Sequence, residues 1–245
     1  MIDFYECRWN ERPSMVKAVF FDLYHTLIGY DPPREESVAG TLARMGIEIP
    51  GKKLRRPLVT ADEFFYRETG KKALKDRSKE ETAELWYEYQ AVVLKEAGIL
   101  PDPEIIKTIL IDMKNAKYDL VLFGDVIPAL NSLTARKLPL GIISNADRDI
   151  SPLLEKLGIL NSIKVRLTSH EAGTSKPQKE IFRKGAELMG VSPGEVLYVG
   201  DQWVVDVQGA RGAGMQALLL DRGGYFDEIP AAEKINSLTE ITDRI

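Results

Sequence analysis

From Gly124 to the carboxyl end, short apolar runs alternate with helical patterns, and no other feature of the chain constrains its fold as tightly. Leu138 to Ser144, Ile163 to Ser169, Val196 to Gly200 and Gln216 to Leu220 read as strands. Between them, Val126 to Ala135, Ile150 to Leu157, Lys179 to Met189 and Asp206 to Ala213 read as helices. Strand and helix in regular succession imply a parallel sheet with right-handed crossovers. A further apolar run, Val16-Lys17-Ala18-Val19-Phe20-Phe21, lies far upstream and ends in the carboxylate of Asp22. Joined to the others, it gives an α/β core with a doubly wound parallel sheet. An acid at the carboxyl end of such a strand sits where open α/β sheets bind their ligands.

The upstream strand is separated from the alternating region by a long helical stretch. Gly29-Tyr30-Asp31-Pro32-Pro33 reads as a linker that continues neither helix nor strand. From about Arg34 to Tyr118 the spacing is helical: Ala83, Trp86, Tyr87, Gln90, Leu94 and Ala97 share one face. Ile106, Ile109, Leu110 and Met113 repeat that spacing behind Pro103, which suits the first turn of a helix. Leu42, Met45 and the pair Phe64-Phe65 mark two more helices, completing a small bundle. The expected division is therefore a core of residues 15–30 and 122–245 with a helical bundle at 31–121. Residues 1–14, Met1 to Ser14, show no periodicity and are read as an added leader or a native arm.

Composition narrows the function classes. Hydrophobic residues make up 44% of the 245 and charged residues 29%, which is too apolar for a disordered chain. A net charge of -4 gives no electrostatic reason to expect nucleic acid. No apolar run is long enough to span a membrane, and no signal-peptide pattern opens the chain. Cys7 is the only cysteine, so neither an internal disulfide nor a cysteine-rich zinc site can form. A cytoplasmic protein is the expectation, with no partner except a small molecule; no motif bears on oligomeric state.

Chemistry-bearing residues follow the apolar runs or turns in order. They are Asp22-Leu23-Tyr24-His25-Thr26, then Ser144-Asn145, then Lys176-Pro177, then Gly200-Asp201 with Asp206 five residues on. Asp22 is a candidate nucleophile, since a carboxylate attacking phosphorus divides one hard displacement into two easier ones. A lysine fixed near it would offset repulsion between the carboxylate and an anionic phosphate. Read alone, each motif has a plainer meaning: a turn Asp, a capping Asn, a solvated Lys, a helix-starting Asp206.

Taken together, the four motifs in this order resemble the haloacid dehalogenase-like (HAD) superfamily, most of whose members hydrolyse phosphate esters. The resemblance covers nearly all of Met15 to Tyr225 and implies a Rossmann-like core with an inserted α-helical bundle as cap. It implies that Asp22 is the nucleophile, that Thr26 supports its loop, and that Ser144, Asn145 and Lys176 bind the phosphoryl group. It also implies Mg²⁺ held by Asp22, the backbone carbonyl of Tyr24 and Asp201, with Asp206 commonly acting through water. Such a cation is hard and prefers oxygen donors. The substrate implied is a small phosphorylated metabolite.

One position departs from the phosphatase pattern. Phosphatases of this family carry a second aspartate two residues after the nucleophile, where this chain has Tyr24. General acid–base help is worth ~10²–10⁴-fold, and a phenol with an intrinsic pKa near ~10 supplies it poorly. The main-chain carbonyl survives the change, so metal binding is expected to persist. The expected activity is that of a phosphatase with a weakened general acid, favouring aryl or acyl phosphates. Haloacid dehalogenases also carry tyrosine at this position but need no metal and lack the Gly200-Asp201 start. A 2-haloacid dehalogenase is therefore the alternative reading, and a low-activity HAD-fold binding or regulatory protein is a third. His25 is read as a loop histidine tolerating an unusual backbone angle in preference to a proton donor. Tyr30 and Arg34 are expected near the entrance, and Lys52-Lys53-Leu54-Arg55-Arg56 as solvated surface.

Overall fold

The computed structural model describes residues 15–245; the expectation for residues 1–14 and Cys7 fall outside them. Six strands form one sheet in the order β5-β4-β1-β6-β7-β8, with every neighbouring pair parallel. They are β1 (Ala18–Phe21), β4 (Leu140–Ser144), β5 (Val165–Thr168), β6 (Val196–Gly200), β7 (Gln216–Leu220) and β8 (Lys234–Ile235). The first strand in the chain thus lies inside the sheet, flanked by β4 and β6. All four of its residues are buried, which explains an apolar run without polar alternation.

Alternate residues of β1 enter two different cores. Val19 and Phe21 pack with Ile142, Val199 and Leu130 on one face, and Ala18 and Phe20 pack with Ile143, Tyr198 and Phe182 on the other. This period-two division is what places helices on both faces of the sheet. The helices expected at Val126–Ala135 and Lys179–Met189 form with those bounds and are α5 and α8; α6 spans Ser151–Lys156 and a short α7 Ser169–Ala172. Strand order reverses at β1, so the carboxyl ends of β4, β1 and β6 open on one crevice.

Two local expectations are corrected. Ile28–Asp31 is a strand, β2, and pairs antiparallel with β3 (Asp119–Leu122). The segment read as a linker from Gly29 therefore makes three register pairs before Pro32 ends it. The expected boundaries at 30/31 and 121/122 cut through this ribbon. Secondly, the helix expected at Asp206–Ala213 begins earlier, as a π-helical turn over Trp203–Gln208, and closes as α9 (Gly209–Gly212). Such wide turns recur at functional sites because they redirect one side chain.

Between the ribbon strands lie α1 (Arg34–Arg44), α2 (Arg55–Lys71), α3 (Lys79–Glu96) and α4 (Pro103–Asn115). They surround their own apolar cluster, including Leu42, Leu58, Val93, Leu94, Ile106 and Ile109. On α3 the buried stripe is Leu85, Tyr89, Gln90, Val93 and Leu94, one residue round from the expected face, while Ala83 is exposed. Ser78 starts α3 with a reciprocal capping box to Glu81. Asp102 caps α4, accepting from the Glu104 N–H at 2.8 Å, with Pro103 in the first turn as expected. Inside this cluster Arg34 grips Asp62 through two bonds of 2.9 and 2.7 Å, and Tyr89 donates to the same carboxylate at 2.9 Å. Among the described residues no helix is long and apolar enough to cross a membrane.

Candidate active site

The crevice gathers the residues singled out in the sequence. Asp22 follows β1 directly, Ser144 ends β4, and Asp201 follows β6. Lys176 arrives from the loop before α8 and is buried at 3% exposure. Its ammonium donates to Asp22 Oδ1 at 2.5 Å and to Asp206 Oδ1 at 2.7 Å. A third bond, 3.1 Å long, goes to the hydroxyl of Tyr198. That hydroxyl donates onward to the main-chain carbonyl of Ile143 or to Asp206, at 3.1 and 3.3 Å. Tyr198 was not visible as a site residue, because an aromatic inside an apolar strand reads as core.

The loop that carries Asp22 closes on itself. Ile28 N–H donates to the Leu23 carbonyl at 3.0 Å and His25 N–H to the Ile28 carbonyl at 2.7 Å. Neither bond uses the Tyr24 carbonyl. His25 takes φ 63°, as expected of a residue bent into the left-handed region. Burial, reinforced by Arg34, drives its imidazole down to about 3, so it is neutral. Thr26 is fully buried and donates to Asp201 Oδ1 at 3.1 Å. Arg222, just beyond β7, ties the loop down by donating to the Thr26 carbonyl at 2.9 Å and to Asp125 at 2.6 Å.

Asp206 is aimed by the π-helical turn. While Oδ1 meets Lys176, Oδ2 accepts from the Gln202 N–H at 3.1 Å. The carboxylate comes so near the end of β6 that a Cβ on Gly200 would lie 2.4 Å from its Cγ. Gly200 is thus required by close approach. Asn145 faces the lysine loop: its Oδ1 accepts from the Lys176 N–H at 2.8 Å and its Nδ2 donates to the Lys176 carbonyl at 3.0 Å. Its amide therefore fixes the lysine in place. Ser144 Oγ is buried and has no hydrogen-bond partner, an arrangement that costs free energy until a polar guest satisfies it.

Oxygens of Asp22, Asp201 and Asp206 lie within 4.8 Å of one another. Burial, opposed by Lys176 and reinforced by Asp206, pushes Asp22 up to about 6. Burial, then Asp22 and Asp206, holds Asp201 well above the ordinary carboxylate range. Burial alone would lower the Lys176 ammonium, but Asp206 and Asp22 outweigh it and hold it above its usual value. One ammonium therefore faces three clustered acids, a set of hard oxygen donors that is electrostatically incomplete. These donors fit a divalent cation of the Mg²⁺ type.

The cavity enclosed by these groups is about 10 Å³, and its one wall from the helical segment is Tyr66 of α2. Sequence reasoning missed Tyr66, which follows the Phe64-Phe65 pair that marked a helix there. The Tyr24 side chain packs against the apolar core, and burial raises its phenol above the usual range despite Arg148. A larger cavity of about 340 Å³ adjoins Asp201, walled in part by His25, Tyr30, Arg34, Arg55 and Tyr225. Tyr30 and Arg34 thus line an opening near the site. Lys52, Lys53, Arg55 and Arg56 are exposed as expected, Arg55 pairing with Glu35 at 2.8 Å, whereas Leu54 of the same run is fully buried.

The model of the haloacid dehalogenase-like hydrolases matches residues 16–214. The chain belongs to that family. It is 30% identical over 222 residues to the glyceraldehyde 3-phosphate phosphatase of Methanopyrus kandleri, covering 88% of each chain. Among solved structures, it resembles the magnesium-bound HAD hydrolase YfnB of Bacillus subtilis, with TM-score 0.61 and 18% identity over 94% of this chain and 98% of that one. It resembles the 2-haloacid dehalogenase of Pseudomonas syringae pv. Tomato at TM-score 0.53 and 24% identity, over 94% and 98%. Phosphatases and dehalogenases of the family thus share this fold, and the residues at the site must separate them.

Proposed function

We propose that this HAD hydrolase is a Mg²⁺-dependent phosphomonoesterase acting on a small phosphorylated metabolite. The observation that carries the reading is the clustering of the Asp22, Asp201 and Asp206 carboxylates, of which Asp22 and Asp206 pair with the Lys176 ammonium. A carbon-attacking dehalogenase has no use for so many acids, since unscreened they repel one another. The phosphatase relative from Methanopyrus kandleri supports the same class of substrate. Residues 31–121 act in this reading as a helical cap over the crevice.

Mg²⁺, when bound, would be held by Asp22, Asp201, Asp206 and the Tyr24 carbonyl, and would neutralise charge between phosphate and nucleophile. Lys176 orients the Asp22 carboxylate through the 2.5 Å bond and adds a fixed positive charge beside the phosphoryl oxygens. The unpartnered Ser144 hydroxyl donates to one of those oxygens. An Asp22 oxygen then attacks phosphorus, the bond from phosphorus to the ester oxygen breaks, and an aspartyl-phosphate forms. Water cleaves the acyl-phosphate, releasing inorganic phosphate and restoring the carboxylate. Asn145 and Tyr198 act through Lys176 and are positioning residues.

A panel of phosphate esters, assayed with Mg²⁺ and with chelator, tests the reading on the parent and on Asp22→Asn. Metal-dependent phosphate release by the parent alone is the expected result. Halide release from a 2-haloacid in chelator would transfer the chain to the dehalogenases. Ligand binding unaffected by Asp22→Asn, with no turnover, would make it a binding protein.

A further inference from the structure

Tyr66 is unlike every other wall of the small cavity. The carboxyl ends of β1, β4 and β6 with the segments that follow them, together with the Lys176 loop, supply the remaining lining, whereas Tyr66 comes from α2 in the helical segment. A volume of about 10 Å³ admits no more than a single water. A substrate oxygen entering this space therefore lies between Tyr66 and the groups at the sheet edge. In phosphoryl transfer the attacking and departing oxygens stand roughly in line across phosphorus. Asp22 attacks from the sheet edge, which directs the departing oxygen toward α2.

Resting on the phosphatase reading, we propose that Tyr66 is a catalytic residue whose phenol donates a hydrogen bond to the departing ester oxygen. It thereby covers part of the task that Tyr24 performs poorly. A phenol is protonated at neutral pH and is both donor and acceptor. It stabilises the oxygen as negative charge develops and transfers no proton, so the alkoxide is protonated by water afterwards. The field around Tyr66 is consistent with a protonated group: burial first, then Asp22, Asp62 and Asp201, hold the phenol well above its ordinary value. The Tyr24 side chain packs against the apolar core, with Arg148, Asp22 and Asp147 in its field.

The test compares glycerol phosphate, an alkyl ester, with p-nitrophenyl phosphate, an aryl ester, on the intact chain with Mg²⁺. Tyr66→Phe keeps the ring and removes only the hydroxyl. It should lower kcat on the alkyl ester by ~10²-fold. On the aryl ester, whose phenolate departs with little help, the loss should be under about tenfold. KM and the melting temperature should remain near the parent's, and Tyr66→His, which restores a donor, should recover part of the alkyl rate. An unchanged kcat in Tyr66→Phe, or equal losses on the two esters, would overturn the inference while the parent's turnover kept the phosphatase reading intact. A parent inert toward both esters would remove the reading, and the inference with it.

Discussion

Lys176→Met removes the only cation among the described residues that touches Asp22 and Asp206, at nearly constant side-chain volume. The ammonium is 3% exposed and makes ion pairs of 2.5 and 2.7 Å. Breaking a buried pair by deleting one partner costs about 3–5 kcal/mol, because the other charge is left uncompensated. The two pairs share one cation, so the losses do not add. For a chain of this size each kcal/mol moves Tm by roughly 2–4 °C, giving a fall of about 10 °C. The pH dependence has a definite sign. Without Lys176 the Asp22 and Asp201 carboxyls, already held above the ordinary carboxylate value by burial and mutual repulsion, bind protons still more tightly than in the unfolded chain. Their stability cost is then greatest at high pH and shrinks as pH falls through those raised values. Mg²⁺ binding the native state should restore part of the loss, by ~2.7 kcal/mol at a hundredfold excess over Kd. Calorimetry of parent and variant across pH, with chelator and with Mg²⁺, reads all three. A variant melting within about 2 °C of the parent at pH 8 in chelator would refute the electrostatic reasoning.

Other perturbations test separate parts of the account. Gly200→Ala drives a Cβ into the Asp206 carboxylate; it should cost about 1–3 kcal/mol in a urea melt and weaken activation by Mg²⁺. Asp62→Asn leaves the half-buried Arg34 guanidinium without its bidentate partner and should destabilise by about 1.5–3 kcal/mol near neutral pH. Burial would raise Asp62, but Arg34 outweighs it and holds the carboxyl below its ordinary value. The advantage of the parent over Asp62→Asn should therefore hold above about pH 4 and vanish as pH falls through the lowered value, measured by denaturant titration. Tyr24→Asp should raise the turnover of alkyl phosphates by at least about tenfold, within the ~10²–10⁴-fold range of general acid help; steady-state rates on esters of graded leaving-group pKa would show it.

Residues that close an apolar run were the legible ones. Asp22, Ser144 and Asp201 each break a pattern in a way that a buried strand enforces, so parallel pairing alone brings them to one edge. Lys176 was legible only through its place in the ordered set, since a loop lysine by itself reads as solvated. Contacts set by packing left no such trace. Tyr198 reads as core until its hydroxyl is seen on Lys176, and Tyr66 reaches the crevice only once α2 packs over it. Asn145 read as a phosphate ligand, yet its amide is engaged on both sides by the Lys176 backbone. The ribbon of β2 and β3 was hidden for another reason. Its partner strands lie far apart in sequence, and Gly29 and two prolines disguise the first of them. On α3, packing buries Leu85, Tyr89 and Val93 beside the expected Gln90 and Leu94, and leaves Trp86 and Tyr87 only partly buried at the edge of the cluster.

Acid quenching during turnover, followed by peptide mass spectrometry, addresses the covalent chemistry at Asp22 most directly. With Mg²⁺ and a phosphate ester, phosphate should be found on the peptide carrying Asp22, be labile to hydroxylamine, and be missing from Asp22→Asn. Sustained metal-dependent turnover with no phosphorylated Asp22 at any quench time, or undiminished turnover by Asp22→Asn, would contradict the account.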